Sequence, residues 1–487
     1  MKLLPVVSVV GVAVLGTSMH VSRRPPNPPA GASSIVRASR DAAAGHDWTQ
    51  FGFDLARSSA VPTPTGITAA NVASLRRQQV SIDGTVDATA IYLSGARVND
   101  ATHDVLVVTT TYGKTIALDA NGGSVLWEYT PPGFDGWAGS ARITNATPVA
   151  DPDREHVYAA SPDGRVEKLT VANGRQVWST PITLLPEREK IASPLSVFHG
   201  RVIAMTGGYI GDAPTYQGHV AILDGGTGRL LHAWNSLCSD RAGLIQPTSC
   251  DQSGSAIWGR AGAVIDTATG DIFVATGNGR WDGRTNWGDA TLVLDSDATH
   301  LVANETPANT EELDETDADV GSTSPALLGD GYIAQGGKDG RIRILEFSQI
   351  SGAAPHRGVE VQAVATPSGD RLFTAPAVWH SGSTTWMFVA DKDGTAAFTL
   401  SHGQLQSMWT NRYAGTSPVV AGGLLYVYDP LGALRVYDPE SGHQLADLQC
   451  GTGHWNSPIV VDGKIVLPEG NANRHDTHGV IDIWRLP

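Results

Sequence analysis

Two side chains in one stretch have the right types for proton chemistry. The acidic run Glu311-Glu-Leu-Asp-Glu-Thr-Asp-Ala-Asp319 ends just before a compact unit that contains Lys338. A carboxylate held near a reacting group can take its proton. An ammonium can stabilise negative charge as it develops. The competing reading is plain: the run is a solvated acidic loop, and Lys338 is a surface lysine beside a hairpin. Asp295-Ser-Asp297 and the Glu311 run carry oxygen ligands suited to Ca²⁺, yet neither has the EF-hand spacing with its central glycine. His475-Asp-Thr-His478 has a metal-like look within a loop. Asn145-Ala-Thr147 and Asn304-Glu-Thr306 are glycosylation sequons by pattern only. No nucleophilic triad and no phosphate loop is recognisable.

The unit between Asp319 and the end of its sheet is a β-meander. Ser324-Pro325 opens a strand to Leu328, Gly329-Asp-Gly331 turns it, and Tyr332 to Gly336 returns. Asp339-Gly340 predicts a type I′ turn with φ > 0 at both residues, and Arg341 to Leu345 completes the unit. The same pattern recurs at a spacing of roughly 40 to 50 residues, within the range of blade arrays. Its landmarks are Thr147-Pro148, Ser193-Pro194, Ala375-Pro376, Ser417-Pro418 and Ser457-Pro458, with Gly-x-x-x-Trp at Gly123–Trp127 and Gly174–Trp178. Such sheets cannot bury both faces alone, and stacking them in a closed ring covers the faces and protects the edges. The fold expected is all-β, an eight-bladed β-propeller of four-stranded antiparallel blades over residues 47–487. The stretch Trp48 to Val80 would supply the closing strand, and Ala69 to Arg77 is the clearest helical candidate.

Composition narrows the function classes. With 55 glycines, 28 prolines and only 17% charged residues the chain is rich in turns and strands. A net charge of −15 without a basic cluster argues against nucleic acid, where Lys and Arg must neutralise phosphates. Residues 1–18 read as a signal peptide: Lys2, an apolar run to Leu15, and small residues at Gly16-Thr17-Ser18. That run is too short to span a bilayer, so no transmembrane domain is expected after its removal. Residues 19–46 read as a flexible linker, and a periplasmic or extracellular location follows. Cys238 and Cys250 share a loop and are either a disulfide or two separate thiols, while Cys450 reads as a buried strand residue.

Ala117-Leu-Asp-Ala-Asn-Gly-Gly-Ser-Val-Leu-Trp127 resembles the tryptophan-docking repeat of pyrroloquinoline-quinone (PQQ) propellers, and the resemblance covers roughly residues 48–487. That superfamily includes quinoprotein alcohol dehydrogenases and a cofactor-free scaffold that assists outer-membrane barrel assembly. The resemblance implies PQQ and Ca²⁺, an alcohol or polyol substrate, and a separate electron acceptor. Ile257-Trp258 and Ala275-Thr-Gly-Asn-Gly-Arg-Trp281 look like the segment supplying a stacking indole, Trp258, and a metal-binding amide, Asn278. By the same likeness Asp319 would be catalytic base and metal neighbour, and Lys338 would contact the quinone oxygens. Trp455 and Asn456 would touch the cofactor edge. The family's adjacent cysteines are replaced by Trp137-Ala-Gly-Ser-Ala-Arg142, and its metal-binding Glu falls in Thr206-Gly-Gly-Tyr-Ile-Gly-Asp212, where Asp212 would substitute. The rival readings are a non-catalytic propeller binding proteins or glycans, and a propeller enzyme of another class, such as a hydrolase or lyase.

Overall fold

A computed structural model describes residues 46–487. The expected signal peptide, residues 1–18, and all but the last residue of the expected linker, 19–46, lie outside the described residues. The described chain forms eight mainly four-stranded antiparallel sheets, the blades of a β-propeller. Their innermost strands are, in order, Ile91–Val98, Val149–Ala150, Ser196–Phe198, Val264–Ile265, Ala326–Gly329, Ala377–Ser381, Val419–Ala421 and Ile459–Val461. From the axis outward the strands, A to D, follow sequence order and alternate in direction, except that the outer strand of blade 8 is Arg76–Ile82 and the short Ala60–Val61 pairs parallel along the inner side of Val419–Ala421 in blade 7. The loops leading into strand A and the B–C loops therefore open on one face, here the upper, and the A–B and C–D hairpins on the lower.

The ring closes where Arg76–Ile82 pairs antiparallel with Gly479–Arg485 as the outer strand of blade 8. That pairing corrects the expected helix over Ala69 to Arg77: only Val72–Ser74 forms a 3-10 turn, and from Arg76 the residues are held in the ladder. Arg77 reinforces the closure by contacting Glu469 and the fully buried Asp482, each at 2.7 Å.

The Gly-x-x-x-Trp repeat is a chain of inter-blade links. Trp127 of blade 1 donates Nε1–H to Val171 O of blade 2 at 2.7 Å and packs on Gly174, where a Cβ would sit 2.5 Å from the indole. Trp178, in the same motif as Gly174, passes on to blade 3 through Gly225 O and Gly228. Trp409 repeats the contact on Pro439 O and Gly442. Gly174 thus receives the indole of blade 1 while Trp178 of its own motif reaches blade 3, and each of these contacts buries a large apolar surface.

Three further expectations are corrected. The acidic run is not a loop throughout, because Thr310–Thr316 forms a short helix, α1, with Glu311 and Glu312 in its first turn, where the helix dipole favours negative charge. In the Asp339-Gly340 turn only Gly340 takes φ > 0, at 74°; Asp339 Oδ1 accepts Arg341 N instead. Cys450 is half-buried just beyond Gln444–Gln449, outside the strand. Cys238 and Cys250 are joined as a disulfide.

A candidate redox site at the upper mouth

The residues of interest lie on lead-in or B–C loops, so the topology delivers them to a single face. Trp258 leads into blade 4, Asp319 into blade 5, and Trp455 and Asn456 into blade 8. Asp212, Asn278 and Lys338 sit on the B–C loops of blades 3, 4 and 5. A cavity of about 300 Å³ opens there, walled by Trp258, Phe373 and Trp455 and bordered by Lys190, Arg260 and Asn145. Trp258 and Phe373 ring centroids are 6.1 Å apart, and Phe373 and Trp455 5.3 Å. Asn145, Ser322, Phe373 and Trp455 each stand two residues before the Ser, Thr or Ala that precedes the strand-opening proline. In these four blades that register turns one side chain toward the cavity.

Beside the indole lies an ion pair. Lys338 Nζ is 2.6 Å from Asp319 Oδ2, 2.5 Å from Asp317 Oδ1, and 5.1 Å from the Trp258 ring centroid. Asp319 is 1% exposed, and its Oδ1 has no hydrogen-bond partner among the described residues. Gly277 packs close beside this oxygen: a Cβ there would meet Trp258 Nε1 at 3.2 Å and Asp319 Oδ1 at 3.5 Å. Burial pushes the Asp319 carboxyl up to about 6 against the pull of Lys338, with Asp317 and Asp212 adding repulsion. Its proton affinity thus falls in the range useful to a base at neutral pH. Asp212 itself accepts the Tyr216 hydroxyl at 3.0 Å.

Asn278 and Asn456 are tied to the scaffold. Asn278 Nδ2 donates to Leu313 O at 3.1 Å and Asp314 O at 3.3 Å, holding α1, and its backbone carbonyl accepts Ser255 N. Asn456 is fully buried: Nδ2 donates to Val86 O at 2.6 Å, and Oδ1 accepts His454 N at 3.0 Å. Both side-chain ends of Asn456 are spent on the frame that presents Trp455.

Several residues of this mouth escaped the sequence reading. Asp87 is fully buried. Burial opposes its charge, but His454 Nδ1 at 2.8 Å and Ala472 N at 3.0 Å, among others, hold its pKa below the usual carboxylate range. Burial pulls Lys190 down to about 8 and Arg260 to about 10, with Asp87 countering in both cases. Asp289 is buried with both carboxyl oxygens unpartnered, and burial, reinforced by Asp319, pushes it up to about 9, so it is neutral at pH 7. The register ahead of each strand-opening proline could have flagged Asn145, Ser322 and Phe373, but none of these charged groups.

The other oxygen clusters serve turns on the lower face. Asp295 caps its loop through Thr299 N and His300 N, and Asp297 pairs with Arg201. Asp151, Asp153 and His156 lie close together, but Asp151 Oδ2 accepts the Tyr158 hydroxyl, and Asp153 Oδ1 accepts Glu155 N and His156 N.

The upper mouth thus combines aromatic walls, cationic side chains and an unpartnered carboxylate oxygen in an acidic surround. Comparisons with known proteins agree in class. A family model described as outer membrane protein assembly factor BamB matches residues 48–241. The chain is 26% identical over 268 residues to quinohemoprotein alcohol dehydrogenase ADH IIB of Pseudomonas putida, covering 50% of this chain and 36% of that protein. It is 24% identical over 208 residues to polyvinylalcohol dehydrogenase of a Sphingopyxis strain, covering 40% of this chain and 31% of the relative. The chain thus spans about a third of the length of the curated relatives it matches. The crystal structure of quinohemoprotein alcohol dehydrogenase from Comamonas testosteroni superposes with a TM-score of 0.68 at 16% identity, over 92% of this chain and 82% of that one. Fold and comparisons together define an eight-bladed β-propeller. The chain is homologous to the PQQ-dependent quinoprotein alcohol dehydrogenases and to BamB-like proteins.

Proposed function

We propose that this protein is an exported quinoprotein-type dehydrogenase that oxidises an alcohol or polyol with PQQ and Ca²⁺ and passes electrons to a separate acceptor. The observation that carries the reading is the buried Asp319–Lys338 pair beside Trp258, with Asp319 Oδ1 unpartnered next to Gly277. Trp258 would stack on the quinone, with Phe373 and Trp455 completing the aromatic wall and Lys190 and Arg260 facing its carboxylates. Asp319, Asp212 and Asn278 would hold the cation. When bound, the quinone supplies a hydride acceptor and Ca²⁺ a Lewis acid. Asp319 takes the hydroxyl proton of the alcohol, and Lys338 keeps that carboxylate ionised and aimed. The apolar walls exclude water from the reacting pair. Export rests on the signal-like start, and among the described residues no helix is long and apolar enough to cross a membrane.

The test is a titration of the full chain with PQQ in Ca²⁺, followed by tryptophan fluorescence. Saturable quenching that Trp258→Ala removes supports the reading. An unchanged spectrum at all PQQ concentrations rejects it. The second reading, a cofactor-free scaffold that binds protein or glycan, draws on the match to the assembly-factor family model.

A further inference from the structure

A larger cavity than that of the upper mouth lies on the other face, and nothing in the redox reading uses it. It encloses about 710 Å³ between the N-terminal segment Phe53–Pro62 and the lower hairpins of blades 4, 5 and 6. Its walls are aromatic: Phe53, Phe273, Tyr332, Phe347 and Trp379 all contribute. Its charged residues are all carboxylates, with Asp54, Asp266, Asp271 and Asp330 on the lining and no Lys or Arg among them. Asp54 is occupied by Ser58, through N at 2.9 Å and Oγ at 2.6 Å, and Asp266 Oδ1 by Ala268 N. The side chains of Asp271 and Asp330 have no hydrogen-bond or ion-pair partner among the described residues. The nearest buried cation, Arg57, turns its guanidinium to the carbonyls of Phe51, Leu195 and Ala263 inside the ring.

We propose that this lower cleft is a second ligand site, specific for a small organic cation: an ammonium group carried on an aromatic or branched aliphatic body. Volume and apolar lining match those of small-molecule sites. Aromatic faces attract a cation through the ring quadrupole, and the unpartnered carboxylates add a field of the same preference. A neutral body of equal size would gain only the apolar contact, and an anion would be repelled. The site is independent of quinone binding, which belongs to the opposite mouth.

Calorimetric titration of the full chain with three probes tests this: benzyltrimethylammonium, phenylacetamide and phenylacetate. The cation is expected to bind about 10-fold more tightly than the amide, a ratio equal to roughly 1.4 kcal/mol and within the range of cation–π contacts. Phenylacetate is expected to give no heat that Trp379→Ala removes. Trp379→Ala should weaken the cation about 10-fold, and Asp271→Asn, a hairpin change that leaves the core untouched, about 3-fold. Trp258→Ala should leave this affinity in place. Equal affinity for cation and amide overturns the proposal. So does cation binding that ignores both lower-face variants or disappears with Trp258→Ala.

Discussion

The two mouths of the propeller are assembled in different ways. At the upper mouth, separate short loops each contribute one or two side chains, so Trp258, Asp319, Lys338, Phe373 and Trp455 meet although they are far apart in sequence. At the lower mouth one stretch of backbone does most of the work. Trp48 exchanges hydrogen bonds with Tyr92 of blade 1 at 2.8 Å. Thr49 O accepts Ala150 N, Leu55 O accepts Ile265 N, Ser58 O accepts Val378 N and Ser59 O accepts Val420 N, which ties in blades 2, 4, 6 and 7. Arg57 enters the ring from below, and Phe51 lies under Arg260 with the guanidinium 5.4 Å from its ring centroid. A mouth made of independent loops collects charge and can be varied residue by residue. A mouth sealed by continuous main chain locks the blades together and leaves its binding space at the side.

Substitutions should separate the two regions, the largest effects coming first. Asp319→Asn removes the proton acceptor but keeps the shape, so dye-linked alcohol oxidation should fall 10²- to 10⁴-fold with the melting temperature little changed. Lys338→Met leaves Asp319 buried without its ion-pair partner; a loss of about 3 kcal/mol in denaturant unfolding is expected, together with weaker PQQ quenching. Arg57→Ala strips the guanidinium from the carbonyls of Phe51, Leu195 and Ala263. Its cost is about 2 kcal/mol of stability, from buried acceptors left unpaired, with PQQ affinity retained. The last effect is read against pH and concerns Asp289, whose carboxyl burial pushes up to about 9. Between its unfolded value, about 4, and 9 the folded chain holds a proton that the unfolded chain has released, so stability declines as pH rises across that window. Asp289→Asn lacks this decline, and its melting temperature relative to the parent should climb from pH 5 to pH 9 and then level off.

The blade count was legible because its signals are local. Strand-opening prolines, turn glycines and the Gly-x-x-x-Trp links recur along the chain, and each needs only its neighbours to be read. The pairing of Asp319 with Lys338 was legible for a related reason, since both flank one meander. The lower seal was not. Residues 48–59 carry no strand periodicity, and their hydrogen bonds go singly to blades far away in sequence. Burial effects were equally hidden, because Asp289 and Asp87 owe their opposite shifts to neighbours from other blades. Asn456 shows the limit of a motif: its neighbour Trp455 lines the cavity, while its own amide is consumed by Val86 and His454.

The most direct measurement is the rate at which the purified chain, incubated with PQQ and Ca²⁺, reduces an artificial electron acceptor on addition of primary alcohols or polyols. The account predicts turnover that depends on both additions and collapses in Asp319→Asn. No turnover with any alcohol, or turnover equal in parent and variant, would contradict it.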